Sequence, residues 1–147
     1  MVDVIKLKTG SRYEEIASYS RLVAVENWIF VSNTAGRNPQ TNEFPEDAAD
    51  QTEQVLANIE RALGEVGASL RDVVRSRIFI QDPADTPAIM ATVGERFRGV
   101  DPAMTLTCPP LSSNAYKVEI EVTAYRGAAM GKVETRRLSN FKPTSAA

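Results

Sequence analysis

Two stretches in the last third of the chain decide its fold: DPAMTLT at residues 101–107 and KVEIEVTAYR at residues 117–126. In the second stretch β-branched residues alternate with charged residues, and strict alternation is typical of a β-strand with one apolar and one polar face. The first stretch places β-type residues after a proline, and a Pro-Pro pair and a polar segment separate the two. The pattern predicts two closing strands, 104–108 and 117–125.

Upstream of these strands, short β-type runs alternate with two amphipathic helices. Apolar side chains recur every three or four residues in both helical segments, as they do on the buried face of a helix. Val55, Ile59 and Leu63 form this stripe in the longer helix, and Gly67 is placed to end it with a left-handed backbone. The predicted elements in chain order are strands 19–25 and 28–32, helix 46–66, strand 72–80 and helix 87–97.

The predicted order ββαβαββ defines an α+β domain, a mixed sheet with two helices on one face. One layer of helices leaves the second face of the sheet uncovered. Trp28 and Phe30 share one face of their strand, and Ile29 and Val31 share the other, so both faces are apolar. We therefore expect the second face to be covered, and self-association is the simplest cover.

The composition is that of an ordinary globular protein and argues against several classes of function. The 147 residues fit one domain, with 43% hydrophobic and 24% charged residues. A formal net charge of −2 argues against nucleic-acid binding, which usually needs a basic excess. The sequence has no run of about 18 apolar residues, so no membrane span is expected. Residues 1–8 lack the features of a secretory signal, and a cytoplasmic location is the default expectation.

The chain has no histidine and a single cysteine, Cys108. This inventory excludes Ser-His-Asp and Cys-His catalysis, and also a zinc or iron site built on histidine or on several thiolates. Acid–base chemistry must therefore come from carboxylates, Tyr, Lys, Arg, Cys or bound water. No metal ion or cofactor is expected, and we interpret Cys108 as a small buried apolar side chain.

Several short pieces of the sequence have a characteristic order and spacing. They are Tyr19-Ser20, IFVS at 29–32, the helix residues Gln51, Gln54, Val55, Leu56, Asn58 and Ile59, Val73-Val74 through Phe79-Ile80, Pro102-Ala103 and EIE at 119–121. Together they resemble the RidA/YjgF family of reactive-intermediate deaminases, which hydrolyse imines and enamines. The resemblance implies a chorismate-mutase-like trimeric barrel, in which the sheets of three subunits form the barrel and three clefts lie between neighbouring subunits.

The resemblance spans residues 19–126, and we predict a RidA-like domain over residues 1–127. The segment 128–147 lacks an apolar period and ends in small and polar residues. We interpret it as a C-terminal extension that is mobile or lies against a partner.

The resemblance implies roles for individual positions. Tyr19 matches a family tyrosine that lines the cleft, and Glu119 matches the family carboxylate that helps to place the attacking water. Tyr19 and Glu119 are therefore the predicted catalytic residues, although Tyr19 is equally compatible with an ordinary strand aromatic. Ser32 lies near the Ser-Gly step of the family and is a predicted substrate contact. Asn33 replaces the glycine of that step.

The stretch at 101–107 departs from the family pattern. Met104 occupies the position of a family arginine that binds the substrate carboxylate, and Leu106 that of a cysteine whose backbone N–H contacts the substrate. Met104, Thr105 and Leu106 are therefore predicted to line the substrate site. A methionine cannot form the charge-assisted pair, which is worth about 1.5–3 kcal/mol. Its absence predicts carboxylate recognition weaker by about 10- to 100-fold unless another cation takes over.

The strand 72–80 offers such a cation. Period-two alternation places Arg75 and Arg77 on the face away from the helices, and Glu119 and Glu121 share a face of the last strand. Since buried charges need partners, we predict that Arg77, together with Arg75, meets Glu119 or Glu121. Arg77 is then either a relocated carboxylate anchor beside Glu119 or part of a structural Arg–Glu network.

Two loops are also open to two interpretations. Arg37 follows the second strand and either rims the cleft or is a solvated loop charge. Residues 112–116 either line the cleft, as a lid, or form a plain turn.

The favoured function is RidA-like hydrolysis of a small imine or enamine to a carbonyl compound and ammonia. Met104 indicates a non-standard or pathway-specific substrate, and the expected partner is a small anionic molecule bound by a homotrimer, without nucleic acid or membrane. The alternative is a non-catalytic trimer that binds a small ligand as a sensor or chaperone-like module. A ribonuclease or translation inhibitor, an older family label, is least favoured because of the acidic balance and the lack of histidine.

Overall fold

The computed structural model describes residues 1–140 and 142–145 and contains one six-stranded sheet backed by two long helices. Three short 3-10 turns, at Leu70–Asp72, Pro83–Asp85 and Ala128–Met130, lie between or after the longer elements. The helices and strands in chain order are β1 (Val4–Leu7), α1 (Arg12–Ile16), β2 (Leu22–Val25), β3 (Trp28–Ala35), α2 (Ala48–Gly64), β4 (Val73–Ile80), α3 (Thr86–Arg96), β5 (Ala103–Thr107) and β6 (Val118–Tyr125).

The sheet is mixed, as predicted. Its strand order is β1-β2-β3-β6-β4-β5, and every neighbouring pair is antiparallel except β4 with β5, which is parallel. The parallel pair follows from the connectivity, because α3 joins β4 to β5 and a helical crossover returns the chain in the same direction. The predicted α+β class is confirmed.

Two N-terminal elements, β1 and α1, lie outside the predicted order ββαβαββ. β1 extends the sheet beside β2. α1 begins with a capping box: the Ser11 hydroxyl accepts from the backbone at the start of the helix, and the Glu14 carboxylate accepts from Ser11 N at 3.0 Å. Tyr19 N donates to Glu14 O at 3.1 Å, so this short helix fixes the approach to β2.

The core lies between the sheet and α2. The stripe predicted for this helix is fully buried, with Val55, Ile59 and Leu63 each 0% exposed. Burying one such side chain contributes about 1.5–3 kcal/mol. Asp47 caps the helix start by accepting from Asp50 N at 3.0 Å. The left-handed backbone predicted after the helix is present, since Gly67 has a φ of 74°.

The side of the sheet away from α2 and α3 is called the open face below. The predicted orientation of β4 is confirmed, because Ser76 and Ile78 are buried under the helices whereas Arg77 lies on the open face. Trp28 and Phe30 are 47% and 49% exposed, so the open face of the single chain carries uncovered aromatic surface.

A β-bulge interrupts β3 where it crosses the middle of the sheet. Val31 and Thr34 are both paired with β6, but only Glu121 lies between their two partners. Ser32 and Asn33 therefore share the space opposite one residue. A bulge of this kind re-aims a side chain and is common beside functional sites.

The predicted C-terminal extension begins with the short turn at Ala128–Met130, where Ala129 N donates to Asp72 Oδ1 at 2.9 Å. Residues 131–140 and 142–145 contain no helix or strand, and the predicted extension at Phe141, Ala146 and Ala147 lies outside the described residues. No helix in the described part of the chain is long and apolar enough to cross a membrane.

Candidate functional site

Glu119 lies on the open face of β6, beside the bulge of β3. Its Oε2 accepts a hydrogen bond from Asn33 Nδ2 at 3.0 Å. Burial raises the pKa of the Glu119 carboxyl above its ordinary value, and the charge of Arg21 opposes that rise. The bulge explains the contact, because the extra residue in β3 lets Asn33 reach across to β6. The arrangement provides a half-buried carboxyl that is poised to exchange a proton.

Arg21 connects this carboxyl to Tyr19. Its Nη1 donates to Asn33 O at 2.8 Å and to Thr34 Oγ1 at 3.1 Å, and its Nη2 donates to the Tyr19 hydroxyl at 3.3 Å. The guanidinium carbon also lies 5.6 Å from the centre of the Tyr19 ring. The two predicted catalytic residues, Tyr19 and Glu119, thus flank one arginine and one bulge.

An aromatic wall, formed by Phe44 and Tyr116, lies near enough to Glu119 for its charge to act on the Tyr116 hydroxyl. The rings of Phe44 and Tyr116 are 5.1 Å apart, and the Arg37 guanidinium is 5.4 Å from the Phe44 ring centre. Burial raises the pKa of the Tyr116 hydroxyl, Arg37 opposes the rise, and the neighbouring charges of Tyr13 and Glu119 add to it. The two interpretations of these loops both stay predictions, because the contacts show how the loops pack and not what they line.

Gln51 fastens both loops of this wall to α2. This fully buried side chain donates to Pro45 O at 2.9 Å and Ala115 O at 3.1 Å, and it accepts from Lys117 N at 2.6 Å. The loop also approaches α2 so closely that a Cβ on Gly36 would lie 2.6 Å from Gln51 Cγ and Gln51 O. Glycine is therefore required at this position for steric reasons.

Ser32 takes part in strand pairing. Its Oγ donates to Ser20 O at 2.7 Å, and its N–H donates to Arg21 O at 3.0 Å. These bonds join the start of β2 to the bulge. The predicted substrate contact at Ser32 therefore already has a partner within the chain.

Arg77 lies away from Glu119. Its Nη1 forms a salt bridge with Glu121 Oε1 at 3.1 Å, which confirms the predicted Arg–Glu pair for Glu121. The strand register places Phe79 opposite Glu119, and Arg75 Nη2 donates to Thr105 Oγ1 at 3.2 Å. The geometry therefore favours the structural network over a carboxylate anchor beside Glu119.

The predicted contacts on β5 lie at the far edge of the sheet. One row of paired residues runs from Leu22 on β2 through β3, β6 and β4 to Met104 on β5. Four strand spacings separate these ends, which is about 19 Å. Leu106 is packed against the core, and Thr105 contacts Arg75. One chain thus brings Tyr19 and Glu119 together but leaves Met104–Leu106 on the edge strand, four strand spacings from the β2 side of the cluster and two from Glu119 on β6.

The structure also identifies site residues that the sequence reasoning missed. Arg21 and Asn33 are central to the cluster, yet their contacts depend on a bulge that no local pattern reveals. The exchange of the family glycine for Asn33 was the available signal. The interpretation of Cys108 as buried is wrong, since its side chain is exposed where the chain leaves β5 for the following loop.

A helix-backed mixed sheet with a polar, half-buried cluster on its uncovered face defines a small α+β domain. The chain matches the model of the family described as Endoribonuclease L-PSP over residues 9–126, and it belongs to that family. The resemblance to the RidA/YjgF family is thereby confirmed.

Relatives and solved structures agree with this membership. A 2-iminobutanoate/2-iminopropanoate deaminase of Dermatophagoides farinae is 36% identical over 110 residues, covering 74% of this chain and 85% of that protein. A protein of the same name from Escherichia coli (strain K12) is 30% identical over 114 residues, covering 76% of this chain and 89% of that protein. The crystal structure of a YjgF/YER057c/UK114 family member from Mycobacterium tuberculosis has a TM-score of 0.76 and 31% identity, covering 84% of this chain and 99% of that one.

Proposed function

We propose that this protein hydrolyses a small imine or enamine to a carbonyl compound and ammonia at the cluster around Glu119. The observation that carries the proposal is the Glu119 carboxyl itself, which is half-buried, has a raised pKa and is oriented by Asn33. The names of the two deaminase relatives support the same reaction class.

The proposed reaction needs only water as a second reactant. An enamine first gains a proton on carbon and loses one from nitrogen, which gives the imine. Deprotonated Glu119 then accepts a proton from the water as the water oxygen adds to the C=N carbon. Protons then pass to the nitrogen, the C–N bond breaks, the C=O bond forms and ammonia leaves. A carboxyl with a raised pKa suits both steps, because the free-energy difference between its protonated and deprotonated forms near neutral pH is smaller than for an ordinary glutamate.

Tyr19 is the proposed hydrogen-bond donor to the substrate. Its hydroxyl oxygen accepts from Arg21 Nη2, and this bond leaves the hydroxyl hydrogen free to face a ligand. A donated hydrogen bond at the imine nitrogen would draw electron density from the carbon that water attacks.

A homotrimer is part of the proposal. The exposed Trp28 and Phe30 on the open face call for a cover, and a second copy supplies one. The separation of Met104 from Tyr19 across the sheet supports a composite cleft, in which β5 of one copy lies near the Glu119 cluster of its neighbour. The family resemblance implies the same assembly.

Ammonia release by the purified protein tests the reaction. The substrates are enzymatically generated 2-imino acids and a set of enamines, with heat-denatured protein and Glu119→Gln as controls. We expect at least one substrate to be hydrolysed faster than in buffer and Glu119→Gln to remove that increase. Equal rates for wild type and Glu119→Gln on every substrate would overturn the proposal.

Met104 favours a second candidate, a trimer that binds a small ligand without turning it over. Its signature would be saturable binding of 2-oxo acids by a protein that hydrolyses none of the imines. The ribonuclease activity in the family description is less favoured here because the chain has a net charge of −2 and no histidine.

A further inference from the structure

We propose that Arg21 binds the anionic group of the ligand, the role that the family resemblance gives to position 104. This inference deepens the proposed function and rests on it. It differs from the expectation for Arg77, because Arg21 lies just before β2 and contacts Tyr19, whereas Arg77 lies on β4.

The guanidinium of Arg21 is held in a fixed position. Two acceptors on β3, Asn33 O and Thr34 Oγ1, hold Nη1 at 2.8 and 3.1 Å. The Tyr19 ring lies against the same group, and the side chain is only half-buried. A cation fixed in this way loses little conformational entropy when it binds a ligand.

Some N–H donors of Arg21 remain without a partner. Within residues 1–140 and 142–145, Arg21 Nε–H has no acceptor, and Nη2 has only the Tyr19 hydroxyl for its two hydrogens. Nε–H and one Nη2–H lie along one edge of the guanidinium. That edge matches the two oxygens of a carboxylate in a bidentate pair.

Two carboxylates lie near Arg21, and neither pairs with it. Burial raises the pKa of Glu119 and opposes the lowered pKa of Glu14; the charge of Arg21 favours the ionised form of both, yet across the described residues Arg21 takes part in no salt bridge. The Glu14 carboxylate instead accepts from Thr9 N, Thr9 Oγ1 and Ser11 N. Glu119 accepts from Asn33. Arg21 therefore remains available to an anion from outside the chain.

The other arginines on this side of the sheet have contacts of their own. Arg77 is paired with Glu121, and Arg75 is bonded to Thr105. Arg37 lies over Phe44 on the aromatic wall. Among the arginines of the described residues, Arg21 is the one whose fixed guanidinium contacts Tyr19 and acts on the charge of Glu119.

The test compares a charged and a neutral ligand of the same size. Calorimetric or NMR titration measures the binding of 2-oxobutanoate and of 2-oxobutanamide to wild type, Arg21→Gln, Arg21→Lys, Arg37→Gln and Arg98→Gln. Arg98 is the matched control, because its side chain is 74% exposed and pairs only with Glu95 within the described residues. Thermal melting of each variant checks that it is folded.

We expect Arg21→Gln to weaken 2-oxobutanoate binding by about 10- to 100-fold while 2-oxobutanamide binding changes by about twofold or less. Arg21→Lys keeps the charge but loses the fork, so it should lie between wild type and Arg21→Gln. Arg98→Gln should bind both ligands as wild type does. Equal loss of both ligands in Arg21→Gln and Arg21→Lys would mean that Arg21 only supports the bulge. A loss of 2-oxobutanoate binding that occurs only in Arg37→Gln would assign the anionic group to Arg37 on the aromatic wall. Either result overturns the inference.

The inference and the proposed function can fail separately. If ammonia release depends on Glu119 but Arg21→Gln binds 2-oxobutanoate normally, the deaminase stands and the anchor falls. If Arg21 selects the charged ligand but no imine is hydrolysed, the anchor stands and the deaminase falls.

Discussion

The substitution Gln51→Leu tests how the cleft is held together. It keeps the size of a side chain that is 1% exposed, but it removes the bonds to Pro45 O, Ala115 O and Lys117 N. Each backbone group left without a partner costs about 1 kcal/mol or more, so the free energy of unfolding should fall by about 3 kcal/mol. For a chain of this size that loss lowers Tm by about 6–12 °C.

Urea denaturation at one fixed protein concentration measures this effect, because the stability of an oligomer depends on concentration. Gln54→Leu is the matched control on the same helix, since Gln54 forms one half-buried bond, to Asn58 Oδ1 at 2.9 Å. Its loss should be under about 1 kcal/mol. Gln51→Leu should also lower kcat/KM, because the loops that carry Phe44 and Tyr116 are released. A Gln51→Leu protein as stable as Gln54→Leu would show that the three hydrogen bonds of Gln51 do not hold the loops in place.

Two further predictions concern Glu119 and the open face. Because burial raises the pKa of the Glu119 carboxyl, kcat/KM should rise with pH through a midpoint above the ordinary glutamate range, and Arg21→Gln should move that midpoint higher; an unshifted profile would contradict this. Because the folded state binds the Glu119 proton more tightly than the unfolded state does, protonation of Glu119 stabilises the fold. This stabilisation is present at low pH, declines as pH rises through the raised pKa and is absent in Glu119→Gln. If the proposed trimer forms, light scattering should show that Phe30→Asp converts it to monomers, since each buried Phe contributes about 1.5–3 kcal/mol, whereas Val133→Asp, on a side chain 80% exposed, should not. A wild type that is itself monomeric would exclude the trimer.

The parts of the fold that the sequence predicted are those with a clear period. The alternation of β4 and β6 determined which side chains face the helices, and the three-and-four spacing in α2 determined its buried stripe. β1 and α1 are four and five residues long and almost wholly exposed, so neither has an apolar face that a period could reveal. The Ser11–Glu14 capping box was a readable signal for the start of α1.

The candidate site was only partly predictable, for a physical reason. Glu119 and Tyr19 followed from the family resemblance, whereas Arg21 acquires its place through hydrogen bonds to the bulge at Asn33. A bulge depends on the pairing of β3 with a strand about 90 residues later in the chain, and no local pattern encodes that register. Arg77 had the right charge and face, but the register paired it with Glu121.

The most direct test of the central claim is the rate of ammonia release from the best substrate by Glu119→Gln and Glu121→Gln. Both residues lie on the same strand and the same face, two positions apart. Of the two, Glu119 is the one that accepts a hydrogen bond from Asn33 and whose pKa is affected by the charge of Arg21. If Glu119 is the general base, Glu119→Gln should lower kcat/KM by about 100-fold or more, while the kcat/KM of Glu121→Gln should stay within about threefold of wild type. A Glu119→Gln enzyme as active as Glu121→Gln would contradict it.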